Sequence, residues 1–259
     1  IIDGFEVSAA HMRQAGLDGV ELVASHGYLL GQFLNSNINQ RSDAYGGSRA
    51  GRMRFLQEAI AATRRGAGED MVLGVRLSGE EKDHHGVEID EMLEVCAAMD
   101  ANPALDYLNV TAGTSAGLAG STHIVPPMAY EAAYTAPIAA AIKARVSKPV
   151  FVAGRINQPQ IAVAVLQSGQ ADMCGMTRAL ISDPQMPAKA ARGAISDIRA
   201  CVACNQACIG HMLNACAISC IQHPETGREL EFGNLVPTTS QKRITVSYTH
   251  LRAHETDSY

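Results

Sequence analysis

Apolar residues first recur at helical spacing: Ile2, Phe5, Ala9 and Met12 fall on one face, and Gly16 supplies a stop. The period then changes. Gly19-Val20-Glu21-Leu22-Val23-Ala24 is a short, mostly apolar run that predicts a strand, and a polar stretch through Ser48 reads as a long loop. Helical spacing returns over 52–65, and the alternation repeats with a strand over 71–77, a helix over 88–99 and a strand over 106–111. An alanine-rich helix over 130–145, a strand over 149–153, a helix over 158–167 capped by Asn157 and a strand over 171–176 follow. A last helix is expected to open at Pro184, behind Ser182-Asp183.

Short strands alternating with helices predict an α/β protein with a covered parallel sheet, either doubly wound or a (β/α)8 barrel. Five strands alone would complete an open sheet. The residues at the strand ends favour the barrel: His26 and Tyr28, Arg76, Thr111 and Thr114, Gly154-Arg155 and Thr177-Arg178 would converge on its C-terminal face. The last two pairs then occupy the loops where barrels often bind phosphate. The expectation is strands four to eight of a TIM barrel, the first three lying before Ile1, followed by a cysteine-rich segment.

Composition narrows the function. Of 259 residues 47% are hydrophobic and 18% charged, the balance of a soluble globular protein with a sizeable core. Lys plus Arg number 21 against 26 Asp plus Glu, and the net charge of −5 disfavours a nucleic-acid partner. No apolar run reaches the roughly 18–20 residues of a membrane span, and the first residues carry no export signal, so a cytoplasmic location is expected. Five of seven cysteines crowd between Cys201 and Cys220, a clustering unlike a disulfide framework.

Cys201, Cys204, Cys208 and Cys220 follow the spacing C-x2-C-x3-C-x11-C. Three closely spaced thiolates and a fourth farther on suit a compact [4Fe–4S] cluster. Structural zinc more often uses two separated C-x2-C pairs, and buried free cysteines are the third reading. Cys216, Cys96 and Cys174 lie outside the pattern and read as packing residues.

Asp18-Gly19-Val20-Glu21, His26-Gly27-Tyr28-Leu29-Leu30, Gln32-Phe33-Leu34, Asn39, Arg41, Asp43 and Tyr45-Gly46-Gly47-Ser48 resemble the signature of the old yellow enzyme family of FMN-binding barrels. The cysteine spacing, with Asn205-Gln206-Ala207 inside it, resembles that family's iron–sulfur branch, which contains 2,4-dienoyl-CoA reductases, trimethylamine dehydrogenases and N-methylproline demethylases. The resemblance runs over residues 2–246 and implies a role for each matching position. Arg76 would stand against the flavin ring, stabilising the charge of the reduced cofactor. Gly154 with Arg155, and Thr177 with Arg178, would hold the FMN phosphate. His26 would bind a substrate carbonyl, and Tyr28 would deliver a proton opposite the hydride.

Departures from the family pattern refine the expectation. Val23 replaces the family's first histidine of this constellation and removes the tyrosine of amine-dehydrogenase members, which favours alkene reduction. The second acid of dienoyl-CoA reductases is replaced within Thr111-Ala112-Gly113-Thr114-Ser115, leaving His123 in the same loop as a substitute. The expected enzyme passes electrons from NAD(P)H through FAD and the [4Fe–4S] cluster to FMN, then as hydride to an enone or enoyl thioester. Oxidation of an N-methylated amine is the rival within enzymes, and a structural zinc module the rival outside them. The expected organisation is residues 1–196 for the FMN barrel, 197–233 for the cluster segment and 234–246 for a linker and first strand of an FAD/NAD(P)-binding domain. Residues 247–259 read as a non-native tail.

Overall fold

The computed structural model of the chain describes residues 1–233, 238–240 and 243. Most of the expected linker and all of the expected tail lie outside the described residues. From the N-terminus the elements are α1 (Ile2–Gln14), β1 (Gly19–Ala24), α2 (Leu29–Leu34), α3 (Arg49–Ala67), β2 (Val72–Glu80), α4 (Ile89–Asp100) and β3 (Tyr107–Ala112). They continue with α5 (Leu118–Ile124), α6 (Ala136–Lys143), β4 (Val150–Ala153), α7 (Pro159–Gln167), β5 (Met173–Gly175), α8 (Thr177–Ser182) and α9 (Met186–Ala191). A 3₁₀ turn at Ile195–Asp197, α10 (Ile209–Leu213) and α11 (Glu229–Phe232) close the series.

All neighbouring strands pair in parallel, and their spatial order β1-β2-β3-β4-β5 is the chain order. A doubly wound sheet reverses its order at a switch point, and this one does not. The sheet is the five-stranded part of a TIM barrel, and its faces differ because side chains alternate. Leu73, Val75, Leu77, Leu108 and Val110 are fully buried in the layer beneath the helices. Glu21, Arg76, Tyr107 and Asn109 stand on the other, inner face, where Tyr107 stacks on Phe151 at 4.3 Å.

Several elements depart from the sequence reading. The expected loop after β1 contains α2, whose Leu30 and Leu34 enter the core. Ser48 Oγ accepts the Gly51 N–H and starts α3 three residues early. Gly66 lets α3 pass close against α1, since a Cβ there would run into the Glu6 backbone. The alanine-rich helix is shorter than expected: Pro126-Pro127 interrupt the chain behind α5, and Pro137 sits in the first turn of α6. Asn157 does not cap α7; its side chain donates to the Cys201 carbonyl. No helix opens at Pro184. Asp183 separates α8 from α9 and accepts Lys189 Nζ at 2.6 Å and the Arg199 N–H at 2.9 Å.

β2 runs to Glu80, so Arg76 lies inside this strand and not beyond its end. Thr111 likewise lies inside β3. The three added residues tie the C-terminal edge together. The His26 N–H donates to Ser78 Oγ at 3.0 Å, and Ser78 Oγ donates to the Gly113 carbonyl at 2.8 Å. One hydroxyl thus links the loops after β1 and β3. Among the described residues no helix is long and apolar enough to cross a membrane.

Candidate active site

The C-terminal ends of the strands enclose a cavity of about 260 Å³. His26, Arg76, His123, Gly154, Arg155, Thr177, Arg178 and Cys201 all line it. Tyr28 does not. It stands on the rim, 56% exposed, with its ring edge-on to His26 at 6.2 Å. Six buried side-chain polar atoms lack a hydrogen-bond partner among the described residues, and four of them belong to this lining: His26 Nε2, Arg76 Nε, His123 Nδ1 and Arg155 Nε. Leaving such atoms unpaired costs about 1–3 kcal/mol each, so their concentration marks a place built for a polar ligand.

Backbone strain gathers at the same place. His26, Arg155 and Ala203 take positive φ values of 59°, 50° and 56°, and each lines the cavity. The His26 turn is made possible by Gly27, with φ of 74°, where a Cβ would press on Thr114 Oγ1 at 2.6 Å. The His26 carbonyl accepts the Ser115 N–H at 2.9 Å, and Gln32 Nε2 donates to the Gly27 carbonyl at 2.7 Å. The backbone that carries the imidazole is therefore held by three hydrogen bonds.

Electrostatics set its protonation. Burial, and then the Arg76 cation, push the His26 pKa down to about 4, so the ring is neutral at pH 7. Ser25 Oγ lies 3.2 Å from Nδ1. When that hydroxyl donates, Nε2 carries the proton and faces the cavity as a donor. Burial also lowers the His123 pKa, followed by the Lys82 cation. Arg76 is fixed by Glu21 at 2.7 Å, and the other Glu21 oxygen accepts Tyr107 OH at 3.0 Å and Asn109 Nδ2 at 2.8 Å. Glu21 thus anchors the guanidinium of Arg76.

Beside this cavity lies a smaller one, lined by Cys201, Cys204, Cys208 and Cys220; Cys216 is not part of it and is exposed. Among the described residues no three His, Cys, Asp or Glu side chains converge on a point suited to one metal ion. Four thiols line this one cavity, and cysteine thiolates are ligands of both iron–sulfur and zinc centres. For FMN, the unpaired nitrogens and the two guanidinium groups of Arg155 and Arg178 suit an anionic, hydrogen-bonding ligand.

The sequence reading did not assign roles to Glu21, Ser78 or Asn205. Glu21 alone carried a signal, as the one acid within an otherwise apolar strand. Ser78 and Asn205 matter through contacts across the fold: Asn205 Oδ1 accepts Arg178 Nη1 at 2.7 Å, and Asn205 Nδ2 donates to the Val125 carbonyl at 2.6 Å.

The family model described as NADH:flavin oxidoreductase / NADH oxidase family matches residues 1–196. The chain is 40% identical over 247 residues to a metal reductase of Desulforamulus reducens, covering 95% of this chain and 36% of that one. It is 36% identical over 229 residues to the N,N-dimethylglycine/sarcosine dehydrogenase of Chromohalobacter salexigens, covering 88% and 33%. The solved 2-naphthoyl-CoA reductase complex with 2-naphthoyl-CoA superposes with a TM-score of 0.83 at 31% identity, over 89% of this chain and 34% of that one. The chain thus spans about a third of the length of these relatives. With the sheet, its polar inner face and the match over residues 1–196 in agreement, the chain belongs to the NADH:flavin oxidoreductase, or old yellow enzyme, family, in the branch that includes these reductases and dehydrogenases.

Proposed function

We propose that this chain holds FMN and a [4Fe–4S] cluster in an oxidoreductase that reduces an activated C=C bond with electrons from NAD(P)H, entering through FAD in the full-length protein. The observation that carries the reading is the cavity itself, where His26, Arg76, His123 and Arg155 present buried nitrogens without partners among the described residues. Bound there, FMN supplies the hydride, and the cluster supplies a one-electron relay. Arg76 would face the flavin ring, Gly154, Arg155, Thr177 and Arg178 would hold the phosphate, and Cys201, Cys204, Cys208 and Cys220 would ligate the iron.

The remaining roles belong to the protein. Neutral His26 donates from Nε2 to a substrate carbonyl and draws electron density from the conjugated alkene. Tyr28, at the rim, delivers the proton to the carbon that does not receive hydride. Val23, on the inner face of β1 and 38% exposed, brings no polar group toward an amine. An enoyl thioester or enone fits this arrangement, and the similarity to 2-naphthoyl-CoA reductase supports a thioester. The second reading is oxidation of an N-methylated amine, favoured by the similarity to N,N-dimethylglycine/sarcosine dehydrogenase.

Anaerobic stopped-flow measurement of the two half-reactions of the holoenzyme tests the proposal. Reduced enzyme is expected to be reoxidised by an enoyl thioester or enone, and Tyr28→Phe to slow that step about 10²–10⁴-fold while leaving reduction by NAD(P)H unchanged. Reoxidation of Tyr28→Phe at the wild-type rate removes Tyr28 as the acid. Reduction of the flavin by sarcosine, with no alkene able to reoxidise it, replaces the reading by demethylation.

A further inference from the structure

Two residues, Arg178 and Cys201, line both cavities and form the wall between them. Arg178 lies in the first turn of α8, and its place in the wall is fixed from both sides. Its Nη1 donates to the Pro126 carbonyl at 2.9 Å, from the segment between α5 and α6. The same nitrogen donates to Asn205 Oδ1 at 2.7 Å, inside the cysteine loop. Asn205 has positive φ of 58° and is itself tied to the Val125 carbonyl. The guanidinium therefore cannot swing away from the thiols without breaking contacts to two segments. Arg155, the other cation of the first cavity, differs: it lines only that cavity and donates to the Tyr130 carbonyl.

We infer that Arg178 is a positioning residue for charge, which raises the reduction potential of the centre held by the four cysteines and makes that potential respond to an anion in the first cavity. This rests on the proposed [4Fe–4S] cluster. One-electron reduction adds a negative charge to a centre already made anionic by four thiolates, and a cation held in the low-dielectric wall favours the added charge. A phosphate-bearing ligand on the opposite side of the same guanidinium offsets that field. By linkage, the anion binds more tightly to the protein with the oxidised centre than with the reduced one. A solvated arginine would be screened and would do neither.

Potentiometric titration of the holoenzyme with dithionite and mediators, followed by electron paramagnetic resonance of the cluster, reads this directly. Arg178→Gln is expected to lower the equilibrium constant for reduction at least tenfold, which is 59 mV for a one-electron couple. Arg178→Lys, which keeps the charge, is expected to stay within threefold of wild type, as is Arg192→Gln, at an exposed arginine outside both cavities. An Arg178→Gln constant within twofold of wild type at full iron occupancy overturns the inference, and so does an equal effect of Arg192→Gln. A measurement on the unmutated full chain covers the case in which Arg178→Gln fails to assemble. With flavin stripped, saturating inorganic phosphate is expected to lower the same constant at least threefold, and no change overturns the inference. Iron and acid-labile sulfide analysis separates the two levels: wild-type protein without both overturns the cluster reading and the inference together, whereas full iron with an unmoved constant overturns only the inference.

Discussion

His26 combines burial, a strained turn and a neighbouring cation, and these fix the sign of its pH dependence. Its folded-state pKa is pushed down to about 4, while the unfolded chain titrates near the ordinary value of 6.5. Between those values the unfolded state binds more protons, so stability is full above about 6.5 and falls as the pH drops toward 4. The shift corresponds to roughly 3 kcal/mol. His26→Asn removes the titration, and Asn tolerates the positive φ of 59°. Denaturant unfolding at pH 7 and pH 4 should therefore show wild type losing about 3 kcal/mol more than the variant. Equal losses in the two proteins would mean that His26 is solvated or paired in the folded state. Tyr28 differs from its neighbour two residues earlier in being exposed, which suits a proton donor in contact with solvent.

At the scale of elements, the five strands were legible because each is a short apolar run between polar boundaries. The helices α2 and α5 were not. With six and seven residues they are too short to show a period, and tertiary contact sustains them: Leu30 and Leu34 are buried, and Gly120 of α5 packs against Thr114. The alanine pattern around α6 overran the real helix because alanine favours helix wherever it falls, whereas the prolines set the boundaries. Candidate site residues were legible as residue types near strand ends. Their anchors were not, since Glu21 meets Asn109 across 88 positions and Arg178 meets Asn205 across 27. The cysteine segment makes the complementary case, as local spacing picked out the four thiols that share a cavity. Accordingly, Cys204→Ser in the holoenzyme should abolish the visible absorption of the cluster and its acid-labile sulfide, while Cys216→Ser leaves both. Equal loss in the two variants would overturn the ligand assignment, and stoichiometric zinc without sulfide would replace the cluster by the zinc module.

Across the whole molecule the sheet separates stability from chemistry by its two faces, and adjacent residues of β2 display the division. Leu77 is fully buried beneath the helices, whereas Arg76 points to the inner face and pairs with Glu21. Leu77→Ala removes apolar contacts and leaves a cavity, which costs about 2–5 kcal/mol. Its effect on FMN binding by the folded protein should be under threefold, because the side chain lies on the far side of the sheet. Arg76→Ala should do the reverse. Its partner Glu21 keeps two donors, Tyr107 OH and Asn109 Nδ2, and the guanidinium is partly exposed, so the stability change should stay near 1 kcal/mol. If Arg76 faces the flavin as proposed, loss of this fixed cation should weaken FMN binding at least tenfold. Denaturant unfolding of the flavin-free protein and fluorescence titration with FMN measure the two quantities separately. The division fails if Leu77→Ala weakens FMN binding as much as Arg76→Ala does, because the inner face would then depend on the helix-side packing for its geometry.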